Sequence, residues 1–198
     1  IVLPGSKSTG EDLAWMRRQG LDRAVAAHAA RGAPVLGICA GLQMLGEALI
    51  DPHGIDGNGP GLGLLPLVTV FAPDKTVLRS RARFGAVTGP WSALSGCAVD
   101  GYEIHHGQTR LHPALVAAGH AARVVLACDR GWQNDAGNVL GIYLHGLFEQ
   151  ASVMAALFGA KARDLDAVFD GLADHVERHC AAGVLAELIV ERGAVTRW

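Results

Sequence analysis

The segment that most constrains the fold is Pro34-Val35-Leu36-Gly37-Ile38-Cys39-Ala40-Gly41, in which a short apolar run ends in a cysteine set between glycines. The run Val35 to Ile38 reads as a buried strand, the glycines as a sharp turn, and Leu42 to Leu49 as the helix that follows. The thiol then stands at the apex of a strand, turn and helix, as in a nucleophile elbow. Glycines let the backbone turn tightly and approach a substrate, and the first helical N–H groups are expected to lower the thiol pKa. Cys39 is the candidate nucleophile. A cysteine after a buried strand is also a common inert packing residue, so the elbow alone leaves both readings open.

At 198 residues the chain suits one domain with a sizeable core, with room for a small appendage. Half of it is apolar, but glycines and charges interrupt every long apolar stretch, so no membrane span is expected. The opening Ile1-Val2-Leu3-Pro4-Gly5 lacks the basic region and cleavage site of a signal peptide. A formal charge of -2 without a basic block argues against nucleic acid as a main partner. The four cysteines, Cys39, Cys97, Cys128 and Cys180, are widely spaced with no CxxC pair, which suits neither zinc nor a disulfide framework. A cytoplasmic setting is the expectation.

Elements alternate along the chain. Ile1 to Pro4 reads as the end of a strand, and Ser8 with Glu11 fits a capping box for a helix through Trp15 that Gly20 breaks. Leu21 to Ala30 resumes a helix, and Asp51 to Gly61 is a loop rich in glycine and proline. Strands are expected at Leu67 to Phe71, Thr76 to Leu78, Phe84 to Val87, Val99 to His105, Val124 to Ala127 and Val139 to Leu144. Phe148 to Phe158 and Leu165 to Val190 read as helices, the second broken near Gly183. This order favours an α/β fold with a mainly parallel sheet flanked by helices, its site outside the carboxyl ends of the strands.

A cysteine nucleophile needs a base, because a thiol near its reference pKa of about 8.5 is mostly protonated at neutral pH. Among the nine histidines, His145 is best placed, since Gly141-Ile142-Tyr143-Leu144-His145-Gly146 also ends an apolar strand in a polar residue followed by glycine. It would take the thiol proton and return it to a leaving amine; the plain alternative is a ring that caps a strand end. His105 and His106 end a further strand, in Gly101-Tyr102-Glu103-Ile104-His105-His106-Gly107. His28, His53, His112, His120, His175 and His179 read as helix-face or loop residues, and no spacing supports a metal site.

Together these segments and the opening Leu3-Pro4-Gly5-Ser6-Lys7-Ser8-Thr9 resemble, in order and spacing, the glutamine amidotransferase domain of cobyric acid synthases. Gly61-Leu62-Gly63-Leu64-Leu65 and the C-terminal helix extend the resemblance through nearly the whole chain. It implies a class I glutamine amidotransferase-like fold with additional β-strands, an amidotransferase domain over residues 1–160 whose front strands are missing, and a C-terminal helical extension over residues 161–198 packed on the same domain. It implies glutamine as substrate, Cys39 as nucleophile and His145 as acid and base. The N–H groups of Gly5 and Ala40 would form the oxyanion hole, a feature whose donors contribute about 10²- to 10³-fold in rate. Gln43 and His105 would bind substrate.

The chain departs from many class I amidotransferases at the third triad position. A glutamate commonly stands two residues after the histidine, and here that residue is Leu147. The cobyric acid branch also lacks it. Glu149 is a candidate accessory group, with a solvated helix carboxylate as its plain reading, and Glu103 is a second, for which a structural hydrogen bond serves equally well. Complete cobyric acid synthases resemble a fusion with an ATP-dependent synthetase domain, for which ATP and Mg²⁺ are expected. This chain has no phosphate-binding GxxxxGK[ST] loop, begins at what reads as an interior strand, and is expected to expose a sheet edge. No cofactor is expected on the chain itself; its partners would be glutamine, the synthetase domain and, indirectly, a corrinoid acceptor. A glutaminase serving another acceptor, as in cobyrinic acid a,c-diamide synthase or a lipid II amidating complex, and a non-catalytic docking domain are the alternatives.

Overall fold

Successive side chains of a strand point to opposite faces, and the central sheet of this protein buries both. The computed structural model describes residues 1–159, 165–181, 183, 184 and 187. From the amino end, β1 (Val2–Leu3), α1 (Thr9–Arg18), α2 (Leu21–Ala30), β2 (Val35–Ile38), α3 (Ala40–Leu45) and β3 (Ala48–Ile50) lead into β4 (Gly59–Pro60), β5 (Leu67–Arg83) and β6 (Ala98–Leu111). Then come α4 (Pro113–Ala117), β7 (Ala122–Leu126), β8 (Gly131–Asn134), β9 (Val139–Ile142), α5 (Ala151–Phe158) and α6 (Leu165–His179). The central sheet has the order β1-β2-β9-β8-β7. Its β1, β2 and β9 run parallel, with Gly37 beside Gly141 and Ile38 beside Ile142, and β8 and β7 add on antiparallel. Val35 and Val139 enter one core with Leu13, Leu42, Leu45 and Trp132, while Leu36 and Leu140 enter another with Phe84, Leu94 and Leu147. Near-continuous apolar strands are what two buried faces require.

The edge strand β1 leaves Ile1 and Val2 exposed. A second sheet, of order β4-β3-β5-β6, is built round the long β5–β6 hairpin. No helix among the described residues is long and apolar enough to cross a membrane.

The helix expected over Leu42 to Leu49 ends at Leu45. Ala48-Leu49-Ile50 is strand β3 instead, because it pairs in parallel with Val68 to Val70 of β5. A short apolar run carries no period that separates the two states, and the available partner decides. Leu67 to Phe71 and Thr76 to Leu78 are one strand, β5, interrupted by a bulge over residues 72–75. The expected strand Phe84 to Val87 is core-facing loop: Phe84 and Val87 are buried while the N–H groups of Phe84 and Gly85 donate to Cys97 and Val125. Strand β8 has no sequence signal, since the buried Gln133 is polar and serves Thr88 and Gly137. Helix α5 begins at Ala151, after a 3₁₀ turn at Leu147–Glu149, rather than at Phe148. Helix α6 ends at His179 and Gly183 has φ +91°, where the break was expected; the Val190 end of that reading lies outside the described residues.

The start of α1 is capped from a distance. Ser8 Oγ donates to Glu11 Oε2 at 3.1 Å but makes no hydrogen bond to the helix backbone. The N–H groups of Thr9 and Gly10 instead donate to the two carboxylate oxygens of Asp56, at 3.0 and 3.1 Å. Asp56 is held in turn by the buried Asp51, whose carboxylate accepts N–H bonds from His53, Asp56 and Gly57. Burial opposes ionisation of Asp51, but these donors outweigh it and hold its pKa at about 2. The capping box therefore gives way to a tertiary cap. Replacing Asp56 with Ala should cost about 1 kcal/mol by urea unfolding, as lost helix caps do, while Ser8→Ala should change stability by less than about half of that.

Candidate active site

Between β2 and α3 the backbone at Cys39 has φ +53° and ψ -107°, a conformation that costs a residue with a side chain about 1–3 kcal/mol. It is held by the Cys39 N–H donating to Ile142 O at 2.8 Å and the Gln43 N–H donating to Cys39 O at 3.1 Å. Gly41 sits so close to β1 that any side chain on it would run into the Leu3 carbonyl. This close approach is why the cysteine is followed by Ala-Gly.

Cys39 is 4% exposed, and its Sγ lies 3.6 Å from Ile104 O as donor. Burial pushes the thiol up to about 11, against the Ala40 N–H, which lowers it; nearby Glu103 raises it further and Lys75 opposes. The lowered pKa expected from the helix start is thus overturned: α3 presents one helpful N–H to a site from which water is largely excluded. His145 stands half-buried just beyond β9. Burial first, and the neighbouring His105 second, hold its pKa below the ordinary value. Both groups are neutral at pH 7 in the ligand-free site, so the imidazole is free to accept a proton that the thiol still carries.

Gly5 joins the two. A Cβ built on Gly5 would lie 2.8 Å from His145 Cε1 and 3.7 Å from Cys39 Cβ. The opening loop therefore passes over both residues, and the Gly5 N–H has no hydrogen-bond acceptor among the described residues. Ala40, the other oxyanion candidate, has its N–H on the Cys39 thiol.

Two openings meet at Cys39. One, of about 420 Å³, is lined by Lys7, Thr9, Gln43, Lys75 and His105 among others. The second, of about 300 Å³, is lined by Gly5, Lys7, Tyr102, Ile104 and His145. Gln43 is buried, accepts from Thr9 Oγ1 at 3.1 Å and donates to Tyr143 OH at 3.4 Å. His105 stacks on Tyr143 with centroids 3.9 Å apart, and both of its ring nitrogens are engaged, Nδ1 with Gly107 O at 2.8 Å and Nε2 with Glu103 Oε2 at 3.4 Å. It forms wall rather than a free donor. Glu103 is buried between Ser80, Arg130 and His105, its Oε1 2.9 Å from Arg130 Nε, and is remote from any bond to His145. Glu149 is exposed and likewise makes no bond to that ring.

The sequence alone assigns no role to Lys75, Thr9, Tyr143 or Arg130. Thr9 and Tyr143 do stand in the patterned segments Leu3 to Thr9 and Gly141 to Gly146. Lys75 is brought in by the β5 bulge, and Arg130 by a turn in which Cys128 and Asp129 have positive φ; neither has a local signal. Among the described residues no three His, Cys, Asp or Glu side chains converge as a metal set. The start of α1 also does not fit a nucleotide phosphate, because the Asp56 carboxylate occupies its N–H groups.

The sheet order and the cysteine turn are those of an α/β fold that solved structures share. The structure of PurLQS from Thermotoga maritima matches with a TM-score of 0.55 at 21% identity, over 79% of this chain and 77% of that one. A crystal structure of a glutamine amidotransferase matches at 0.50 and 16% identity, over 78% and 71%. Residues 1–153 match the CobB/CobQ-like glutamine amidotransferase domain, and the chain belongs to that family. It is 66% identical over 189 residues to the cobyric acid synthase of Polaromonas sp. (strain JS666 / ATCC BAA-500), covering 96% of this chain and 37% of that protein. To the cobyric acid synthase of Variovorax paradoxus (strain S110) it is 65% identical, covering 96% and 39%. The chain thus spans well under half the length of these relatives.

Alkylation of Cys39 by iodoacetamide in the ligand-free chain, followed by peptide mass spectrometry across a pH series, should accelerate with a midpoint near pH 11. A midpoint below about 8, under the ordinary thiol value, would show that burial does not dominate.

Proposed function

We propose that this domain is a glutaminase that releases ammonia from glutamine. The observation that carries the reading is Cys39 on its strained turn, opening both to the polar cavity lined by Gln43 and to the cavity lined by His145. The glutamine side chain enters from the first cavity and presents its amide carbon to Sγ. His145 accepts the thiol proton as the sulfur attacks, and the amide oxygen takes up negative charge beside the N–H groups of Gly5 and Ala40. The tetrahedral adduct collapses as the proton passes to the departing nitrogen, leaving ammonia and a γ-glutamyl thioester on Cys39. Water, deprotonated by His145, then attacks the thioester, and glutamate leaves as the thiol is restored. Neutral resting partners suit this cycle, since the ion pair forms only as charge develops on the substrate.

The ammonia would serve the ATP-dependent amidation of adenosylcobyrinic acid a,c-diamide to adenosylcobyric acid in cobalamin biosynthesis. Support comes from the cobyric acid synthases that are 64–66% identical to this chain. ATP and Mg²⁺ would belong to a synthetase part that activates the acceptor carboxylates, and the corrinoid would be handled there.

A glutamine-mimicking diazoketone should alkylate Cys39 selectively in the folded chain, with excess glutamine protecting, as read by peptide mass spectrometry. Cys39→Ala should lower glutamate release by at least about 10³-fold. A folded chain that takes no label would count against a self-sufficient glutaminase.

A further inference from the structure

The glutaminase reading leaves His145 with no group to orient it, and this inference rests on that reading. Leu147, two residues on, is buried in the core. Glu149 is exposed, and Glu103 is committed to Ser80, Arg130 and His105. Among the described residues nothing hydrogen-bonds to the His145 ring. An imidazole that must take a proton from one atom and deliver it to another nonetheless needs a set direction, because small misplacements cost large factors in rate.

The structure supplies that direction through Tyr102. His145 and Tyr102 form an isolated antiparallel bridge between the segment just beyond β9 and strand β6. The His145 N–H donates to Tyr102 O at 2.9 Å, and the Tyr102 N–H donates to His145 O at 3.4 Å. Their rings stack with centroids 5.0 Å apart and planes 9° from parallel. Gly5 closes against the Cε1 edge. The imidazole is thereby fixed at its backbone, on one face and at one edge. Along β6 the residues alternate: Glu103 and His105 turn into the buried network, while Tyr102 and Ile104 face the cavity that holds Cys39 and His145. Tyr102 is 41% exposed, and its hydroxyl has no hydrogen-bond partner among the described residues. The contact is made by the ring, so the hydroxyl is dispensable.

We propose that Tyr102 is the positioning residue for His145, holding the imidazole by ring stacking and a strand bridge in the place where a triad carboxylate would hold it by a hydrogen bond. The role differs chemically from a carboxylate's. A stacked neutral ring fixes orientation but brings no charge to pair with the imidazolium, to which it offers only the weaker attraction of its π face.

Glutamate release by the wild-type chain, Tyr102→Phe, Tyr102→Leu and Tyr102→Ala tests this, with folding checked by thermal unfolding. The Phe variant should stay within about 3-fold of wild type, whereas Leu and Ala should lose about 10- to 100-fold in kcat with KM for glutamine changed less than about 3-fold. The His145 titration, followed by NMR, should move up towards the ordinary imidazole value in Tyr102→Ala, as the ring gains access to water. Unchanged kcat and His145 titration in the Leu and Ala variants would overturn the proposal. So would a Phe variant as impaired as Ala, or a loss in Glu149→Gln that matches it. A wild-type chain with neither turnover nor Cys39 labelling removes the glutaminase reading, and this proposal with it; turnover with indifferent Tyr102 variants removes this proposal alone.

Discussion

Everything in the site depends on one strained residue. Cys39 keeps its positive φ because β2, β9 and α3 leave the chain no other path. Its N–H is spent on Ile142, its carbonyl starts α3, and Gly41 is pressed against the end of β1. Three parallel strands and a fully buried helix thus over-determine a turn that would relax by itself. The strain is confined to the atom that must project from the backbone, and the surrounding core absorbs its cost.

Burial that holds the turn also sets the electrostatics. A thiol and an imidazole withdrawn from water both lose their charged forms, so the resting pair is neutral. Near the pair lies a carboxylate, Glu103, whose charge adds to the burial that opposes the thiolate. It is paired with Arg130 and fastened by Ser80 and His105. The acidic group in the Tyr-Glu-Ile-His segment therefore organises the wall of the site, and the aromatic group before it contacts the His145 ring.

The β5–β6 hairpin makes that wall possible. It crosses from the second sheet to the mouth of the first, and its alternating faces do different work. One face carries the Glu103 and His105 network, and the other carries Tyr102 and Ile104 to the cysteine. Its bulge brings Lys75 to the larger cavity. On the opposite side, Asp51 shapes a loop whose Asp56 caps α1, and α1 in turn presents Thr9 to Gln43. The cavity is enclosed by segments that are far apart in the chain.

The sequence by itself determined the elbow, the α2 helix at Leu21–Ala30, the strand before the cysteine and the strand that delivers His145. Each rests on local chemistry: a period, a glycine at a tight turn, or an apolar run of strand length. It also marked His145 as a candidate, because it ends a patterned apolar strand, whereas Gly5, Ala40 and Gln43 became candidates only through the family resemblance. Only the tertiary structure decided that Ala48–Ile50 is a strand, that Gln133 belongs to a strand, and that Asp56 rather than Ser8 caps α1. For Ala48–Ile50 and for the α1 cap the deciding partner lies in a distant segment, and for Gln133 the flanking strands β7 and β9 decide; no local pattern encodes these pairings. The thiol pKa follows the same rule. A helix N-terminus is visible in the sequence, but the exclusion of water that outweighs it exists only once the two sheets have closed over Cys39.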